Sequence, residues 1–250
     1  MDVFSADSYT FAIVLLGALL AGVTTGFAGF GTALVSAGFW FHALPAPLVP
    51  PLVVLMTAAA QISNTISHRD TIRWEAAKPY IWGGLFGVPF GTWLLSLASP
   101  DAIRMTVGVF LIVYVLLQFR RVLDGRVGSW GGVHADRAVG FSGGVMGGFA
   151  GLSGVTPLIW LQLRGGPSRE QKSIYQPFNL LVAILACIAM TVSGHIHLTV
   201  LFLALVCLPC TLAGAWFGAR LYRHIPDAVF RNIVLGLLLC SGTVLVWQLF

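Results

Sequence analysis

The sequence predicts an all-α, polytopic membrane protein built from two inverted-topology repeats. Three observations predict it. The 250 residues are 57% hydrophobic and only 9% charged, with a mean hydropathy of +0.88, whereas soluble domains carry about 25% charged residues. The apolar residues fall into runs of the ~20 residues that a membrane-spanning helix requires. A set of short motifs also recurs, in the same order, in both halves of the chain.

Residues 9–41 form the first apolar run, interrupted by GFAGFG at 26–31. The run is too long for one crossing and reads as a deep hairpin or a broken helix pair. Residues 47–66, 79–98 and 103–119 each read as one spanning helix. Residues 138–163 are uncharged and contain GGVMGGFAGLSG, from Gly143 to Gly154. Residues 173–194, 198–219 and 228–250 supply three further crossings. Glycine in a helix interior costs roughly 0.5–1 kcal/mol relative to alanine, so the glycine runs mark places where the helix breaks. Thr156-Pro157 then reads as an N-cap followed by proline at the first helical position, opening a returning arm.

Charge placement orients the crossings. Apart from Arg104, beside Asp101, every Lys and Arg falls in one of four short stretches. These are Arg69, Arg73 and Lys78; Arg120, Arg121, Arg126 and Arg137; Arg164, Arg169 and Lys172; and Arg220, Arg223 and Arg231. Short basic loops mark the cytoplasmic side. With all four inside, 47–66 runs inward, 79–98 outward and 103–119 inward, while 173–194, 198–219 and 228–250 run outward, inward and outward. The 138–163 segment then enters and leaves on the same face. Two arms of about ten residues, ~15 Å each, would turn near the middle of the ~30 Å hydrocarbon core. Such a reversal is tolerated where it is buried in protein or lines a watery cavity. Single glycine-rich crossings are the alternative, with a count of eight spanning helices. Both termini are expected outside, and residues 1–10, without Lys or Arg, lack the basic start of a cleaved signal peptide. The net charge of +5 is confined to these loops, which argues against nucleic acid as a partner.

The repeats are specific. Gly26-Phe-Ala-Gly29 recurs as Gly148-Phe-Ala-Gly151, Gly87-Val-Pro-Phe-Gly91 matches Gly214-Ala-Trp-Phe-Gly218, and Pro100-Asp-Ala102 matches Pro226-Asp-Ala228. They divide the chain into a first membrane repeat at 1–121, a cytoplasmic linker at 122–137 and a second repeat at 138–250. Each repeat is a glycine-broken hairpin or helix pair plus three transmembrane helices. The 47–66 helix runs opposite to its counterpart 173–194, so the halves are inverted. That is a transporter architecture, with substrate held near the midplane by discontinuous helices. Gly83, Gly87 and Gly91, like Gly214 and Gly218, are spaced for close helix packing rather than for substrate.

No Asp, Glu, Lys or Arg lies in the centre of any apolar segment, which disfavours a cation held by side-chain charge. What remains is dipolar. Backbone N–H groups at helix N-termini favour anions, and glycine leaves them bare. The candidate substrate residues are Gly26, Phe27, Ala28, Gly29, Gly31 and Thr32 at the first glycine turn. At the second they are Gly148, Phe149, Ala150, Gly151, Ser153, Gly154 and Thr156. Gln61 with Asn64 and Gln176 with Asn179 add two Gln-x-x-Asn pairs, each on one helical face.

No cofactor and no resident metal is expected. His195-Ile-His197 lacks further ligands and reads as a surface loop, and His42, His68, His134 and His224 fall at segment ends. Cys187, Cys207, Cys210 and Cys240 read as small buried hydrophobes, since the Cys207–Cys210 spacing lacks a soluble redox context. No phosphate-loop or HExxH motif is present, so neither direct ATP drive nor an enzyme is indicated. The expected partners are a small anion and the lipid bilayer. A coupling proton or other ion stays open, as do the oligomeric state and an anion channel in place of a carrier.

The paired openings GFAGFG and GFAGLSG, with the GxxxG-then-PDA repeats, resemble the sulfite exporter TauE/SafE family of membrane permeases across most of the chain. The resemblance implies secondary transport of small sulfur-containing anions, such as sulfite or organosulfonates, across a bacterial-type plasma membrane. It points to residues 26–31 and 148–154 as the site. One departure is visible: Ser153 stands where the first half has Gly31, so the two turns cannot share one shape.

Overall fold

In a bilayer each backbone N–H and C=O must be satisfied within the protein, so apolar runs of this length fold as helices. The computed structural model describes residues 8–28, 31–67, 72–119, 130–221 and 227–247, and among them it contains helices and no strand. They are α1 (Ser8–Ala28), α2 (Thr32–Ala43), α3 (Val49–Ser67, after a 3-10 turn at Ala46–Leu48), α4 (Trp74–Leu97) and α5 (Pro100–Phe119). The second half gives α6 (Gly132–Ala150), α7 (Val155–Arg164), α8 (Ser168–Val192), α9 (Leu198–Leu221) and α10 (Asp227–Trp247). Of these, α1, α3, α4, α5, α8 and α9 are long and apolar enough to cross a membrane, and the chain is a polytopic all-α membrane protein. Gly29, Arg69, Arg120, Arg121, Arg126, Arg223, His68, His224 and Pro226 lie outside the described residues.

Local chemistry explains where helices begin. Pro50 and Pro51 occupy the first turn of α3, where missing N–H groups cost nothing. Ser99 caps α5: its Oγ accepts from Ala102 N–H at 3.2 Å, and Pro100 follows at the first helical position. Gly165 and Gly166, at φ of 81° and 96°, reverse the chain between α7 and α8.

Two glycine seams tie the halves together. The most extensive packing in the molecule is α4 on α6, followed by α1 on α9. A methyl group at Gly83, Gly87 or Gly91 of α4 would overlap the carbonyl oxygens of Arg137, Phe141 or Val145 of α6. Reciprocally, one at Gly140, Gly144 or Gly148 would overlap those of Tyr80, Gly84 or Val88. The α1–α9 seam repeats this, with Gly22 and Gly26 on one side and Gly214 and Gly218 on the other. Backbones in contact over several turns supply dispersion and weak Cα–H···O contacts in place of side-chain packing. Between the seams, α3 packs on α8 and α5 on α10.

The glycine segments form two hairpins, with corrections to the sequence reading. The Gly140–Gly148 stretch is helix rather than turn, because α4 lies against its bare face. The arms are unequal. α6 has 19 residues and α7 has 10, or ~28 and ~15 Å, instead of two ten-residue arms. Residues 132–137, expected in the linker, are the first turns of α6. The residue preceding α7 is Gly154, and Thr156 does not cap it. Both ends of the second hairpin meet on one side: Arg164 Nη2 donates to the Gly132 carbonyl at 3.1 Å and Nη1 to Asp136 Oδ2 at 3.0 Å. Trp160 Nε1 donates to Asp136 Oδ1 at 2.9 Å. In the first hairpin, Trp40 Nε1 donates to the Val14 carbonyl at 3.0 Å.

Candidate functional site

The two hairpin turns meet. The first contributes Gly31, Thr32, Ala33 and Leu34, and the second contributes residues 151–155; Thr57 and Gln61 of α3 and Asn179 of α8 complete one cavity. It is thus lined by the N-termini of α2 and α7, whose first N–H groups have no acceptor within the helix. Gly31 (φ 106°) and Gly151 (φ 76°) hold left-handed conformations that make the reversals. At the second reversal, Gly151 N–H donates to the Gly147 carbonyl at 2.9 Å and Leu152 N–H to Met146 at 3.1 Å.

Neutral polar groups surround the cavity. Ser153 Oγ donates to Asn179 Oδ1 at 2.9 Å, and Asn179 lies so close to Gly154 that any side chain there would overlap its amide. Across the first turn, the Thr25 and Thr32 hydroxyls bond to each other. Thr57 Oγ1 and Gln61 Oε1 are buried and have no hydrogen-bond partner. An unpaired buried polar group costs about 1–3 kcal/mol, and no protein group offsets that cost for either side chain. No charged side chain is among the described residues that line it. The cavity measures about 20 Å³, which is room for one water molecule.

The expected site residues divide. Gly31, Thr32, Gln61, Gly151, Ser153, Gly154 and Asn179 line the cavity. Gly26 and Gly148 sit in the glycine seams, while Phe27, Phe149 and Ala150 are buried side chains off the lining. Each Gln-x-x-Asn pair is split. Gln61 and Asn179 reach the cavity, whereas half-buried Asn64 and buried Gln176 do not. Thr156 also stays off the lining, its hydroxyl beside the bare face of Gly143. Gly29 lies outside the described residues, as does the side chain of Ala28.

Two features escaped sequence reasoning. Thr57 stands one turn before Gln61, and this i, i+4 spacing is the signal that could have found it. The Asp136–Arg164 pair is not legible in the sequence, because the two residues fall outside the apolar segments and 28 positions apart. At the other end of the molecule, the His195 ring bonds Ser96 Oγ at 2.9 Å, and among the described residues no His, Cys, Asp or Glu cluster could hold a metal ion.

No curated protein and no solved structure matches the chain. The family model for the sulfite exporter TauE/SafE matches residues 14–245, taking in both hairpins and the cavity between them. A polytopic helical chain with that match belongs to the sulfite exporter TauE/SafE family of membrane transporters.

Proposed function

We propose that this protein is a secondary transporter, working as an exporter, of small sulfur-containing anions such as sulfite or organosulfonates in a bacterial-type plasma membrane. The observation that carries this reading is the cavity where both turns meet. It offers two helix N-termini, bare glycine amides and the unpaired Thr57 and Gln61 side chains, without a fixed charge. Helix N-termini stabilise an anion through oriented N–H groups and the positive dipole end. Turning the Gln61 amide by 180° directs its NH₂ into the same space, since oxygen and nitrogen are assigned by hydrogen bonding. Such a site binds an anion and still lets it leave, because no full positive charge holds it.

Alternating access follows from size. A three-oxygen anion exceeds the room for one water, so the turns must part to admit it and close behind it. The packing supports inverted repeats at 1–121 and 138–250. Exchanging the halves turns the α4–α6 seam into the α9–α1 seam and leaves the α3–α8 and α5–α10 contacts in place. Each hairpin would then travel with a helix of the other half.

The test is flux in proteoliposomes loaded with sulfite, thiosulfate or a sulfonate, with counterflow measured. Saturable uptake accelerated by substrate on the far side, and lost in Gln61→Leu, supports the carrier. Non-saturating flux without counterflow means a channel. No flux of any of these anions from folded protein removes the sulfur-anion assignment.

A further inference from the structure

A second cavity lies at the end of the bundle where α4, α6, α7 and α8 meet. It measures about 420 Å³ and is lined by residues including Tyr80, Asp136, Leu161, Arg164, Glu170 and Gln171. Arg73 N–H donates to the Ser173 carbonyl at 3.0 Å, joining the starts of α4 and α8 here, so Arg73, Lys78, Arg137, Arg164 and Arg169 gather at this end.

Two buried groups face this space unpaired. Arg164 Nε has no hydrogen-bond partner, although the guanidinium bonds Asp136 and the Gly132 carbonyl and lies over the Trp160 ring at 5.3 Å. Tyr80 is 2% exposed, and its hydroxyl lies beside the Asp136 carboxylate and the Trp160 indole, outside good hydrogen-bond geometry with either. An Arg N–H and a Tyr O–H both donate. Two orphaned donors in one cavity ask for a ligand with acceptor oxygens. The remaining charges are already balanced: Asp136 by Arg164, and Glu170 by its ion pair with Arg73.

We propose that this cavity is a second anion site, where a small oxyanion docks on Arg164 and Tyr80 in competition with Asp136. The role of the site as an antechamber rests on the transport reading; the binding itself does not. α7 links the two cavities, because Arg164 is the last residue of the helix whose first residue, Val155, lines the turn cavity. The ten residues between span ~15 Å. The Asp136 carboxylate keeps the docked anion weakly held, as a waiting position requires. Asp136 and the anion share one guanidinium, so removing the carboxylate should tighten anion binding.

The experiment uses the full chain in nanodiscs, titrated calorimetrically with sodium sulfite and sodium sulfate at constant ionic strength. A Thr57→Val/Gln61→Leu background silences the turn cavity. In it, Tyr80→Phe should weaken sulfite binding about tenfold and Arg164→Gln at least as much, the loss of a hydrogen bond to a charged ligand. Tyr80→Phe leaves the Arg164–Asp136 ion pair in place, so it stays informative if Arg164→Gln misfolds. In orientation-sorted proteoliposomes, Tyr80→Phe should raise the sulfite KM from the basic face and leave kcat and the opposite KM unchanged. Unchanged binding in Tyr80→Phe would overturn the second site, whatever the transport result. Tyr80-dependent binding without any flux would keep the site and sink the transport reading instead.

Discussion

The two hairpins reach one geometry by different means. In each, a tryptophan on the short arm donates its indole N–H to the long arm: Trp40 to the Val14 carbonyl, and Trp160 to the Asp136 carboxylate. Around Trp40 the surroundings are apolar, and α2 lies along α1 over much of its length. Around Trp160 they are ionic, with Arg164 joining Asp136, and α7 touches α6 far less. The reason is compositional. The inner faces of α6 carry glycine at positions 143 and 147, which leave little side chain for α7 to pack on. Where burial is scarce, polar bonds hold the arms. Hairpin one therefore depends on hydrophobic packing, and hairpin two on a partly buried ion pair.

The largest expected effect sets the limit of that contrast, because the glycine seams should be alike in both halves. Gly87→Val in α4 and Gly214→Val in α9 each drive a branched side chain into a facing carbonyl, costing upwards of about 3 kcal/mol. Both variants should lose their monodisperse peak on size-exclusion chromatography; tolerance of one alone would break the equivalence of the seams. The clasps should then separate the hairpins. Arg164→Gln leaves the buried Asp136 charge uncompensated and should destabilise by about 2–3 kcal/mol, discounted for partial exposure of the pair. Trp40→Phe should cost only about 1 kcal/mol, one neutral hydrogen bond. Thermal melts at low and high salt check both, and only the Arg164 effect should shrink in salt.

The cavity between the turns sharpens the comparison at smaller cost. Thr57→Val and Gln61→Leu each remove a polar atom that has no partner, so melting temperatures should hold or rise. Sulfite flux in the same variants should fall by about tenfold or more. Gly151→Val is a poorer probe, since it combines a left-handed backbone with overlap onto Val53 and should lose folding together with transport. The smallest effect concerns His195, whose ring burial and the neighbouring His197 hold below its usual value of 6.5. A lowered histidine pKa means that the unfolded chain binds the proton more readily. The contribution is therefore present above pH 6.5 and is lost as the pH falls through and below that value. His195→Gln should flatten this part of the melting-temperature profile.

Much of this fold is legible in the residues. Length and hydropathy suffice for the helices long enough to cross a membrane, and the GFAG repeats locate both hairpins. The arms are misjudged because one residue type does two jobs. Gly151 reverses the chain, yet Gly140, Gly144 and Gly148 follow the same four-residue spacing that marks Gly83, Gly87 and Gly91 as packing positions. A glycine seam and a glycine turn look alike until the facing helix is known. The site suffers from the same dependence on tertiary contact. Gln61 and Asn179 meet only because α3 packs on α8, and no local pattern pairs the first amide of one motif with the second of another. Thr57 is one of many threonines until its hydroxyl proves unpartnered.

The seams also govern how the protein can be made. Each joins a helix of one half to a helix of the other: α1 waits for α9, and α4 for α6. During synthesis α1 enters the bilayer with its glycine groove open to lipid, and it stays so until nearly the whole chain has been translated. Neither half expressed alone holds the complement of its own grooves. Co-expressed as two fragments cut in the connection before α6, they should find each other; separately, each should be a substrate for membrane quality-control proteases.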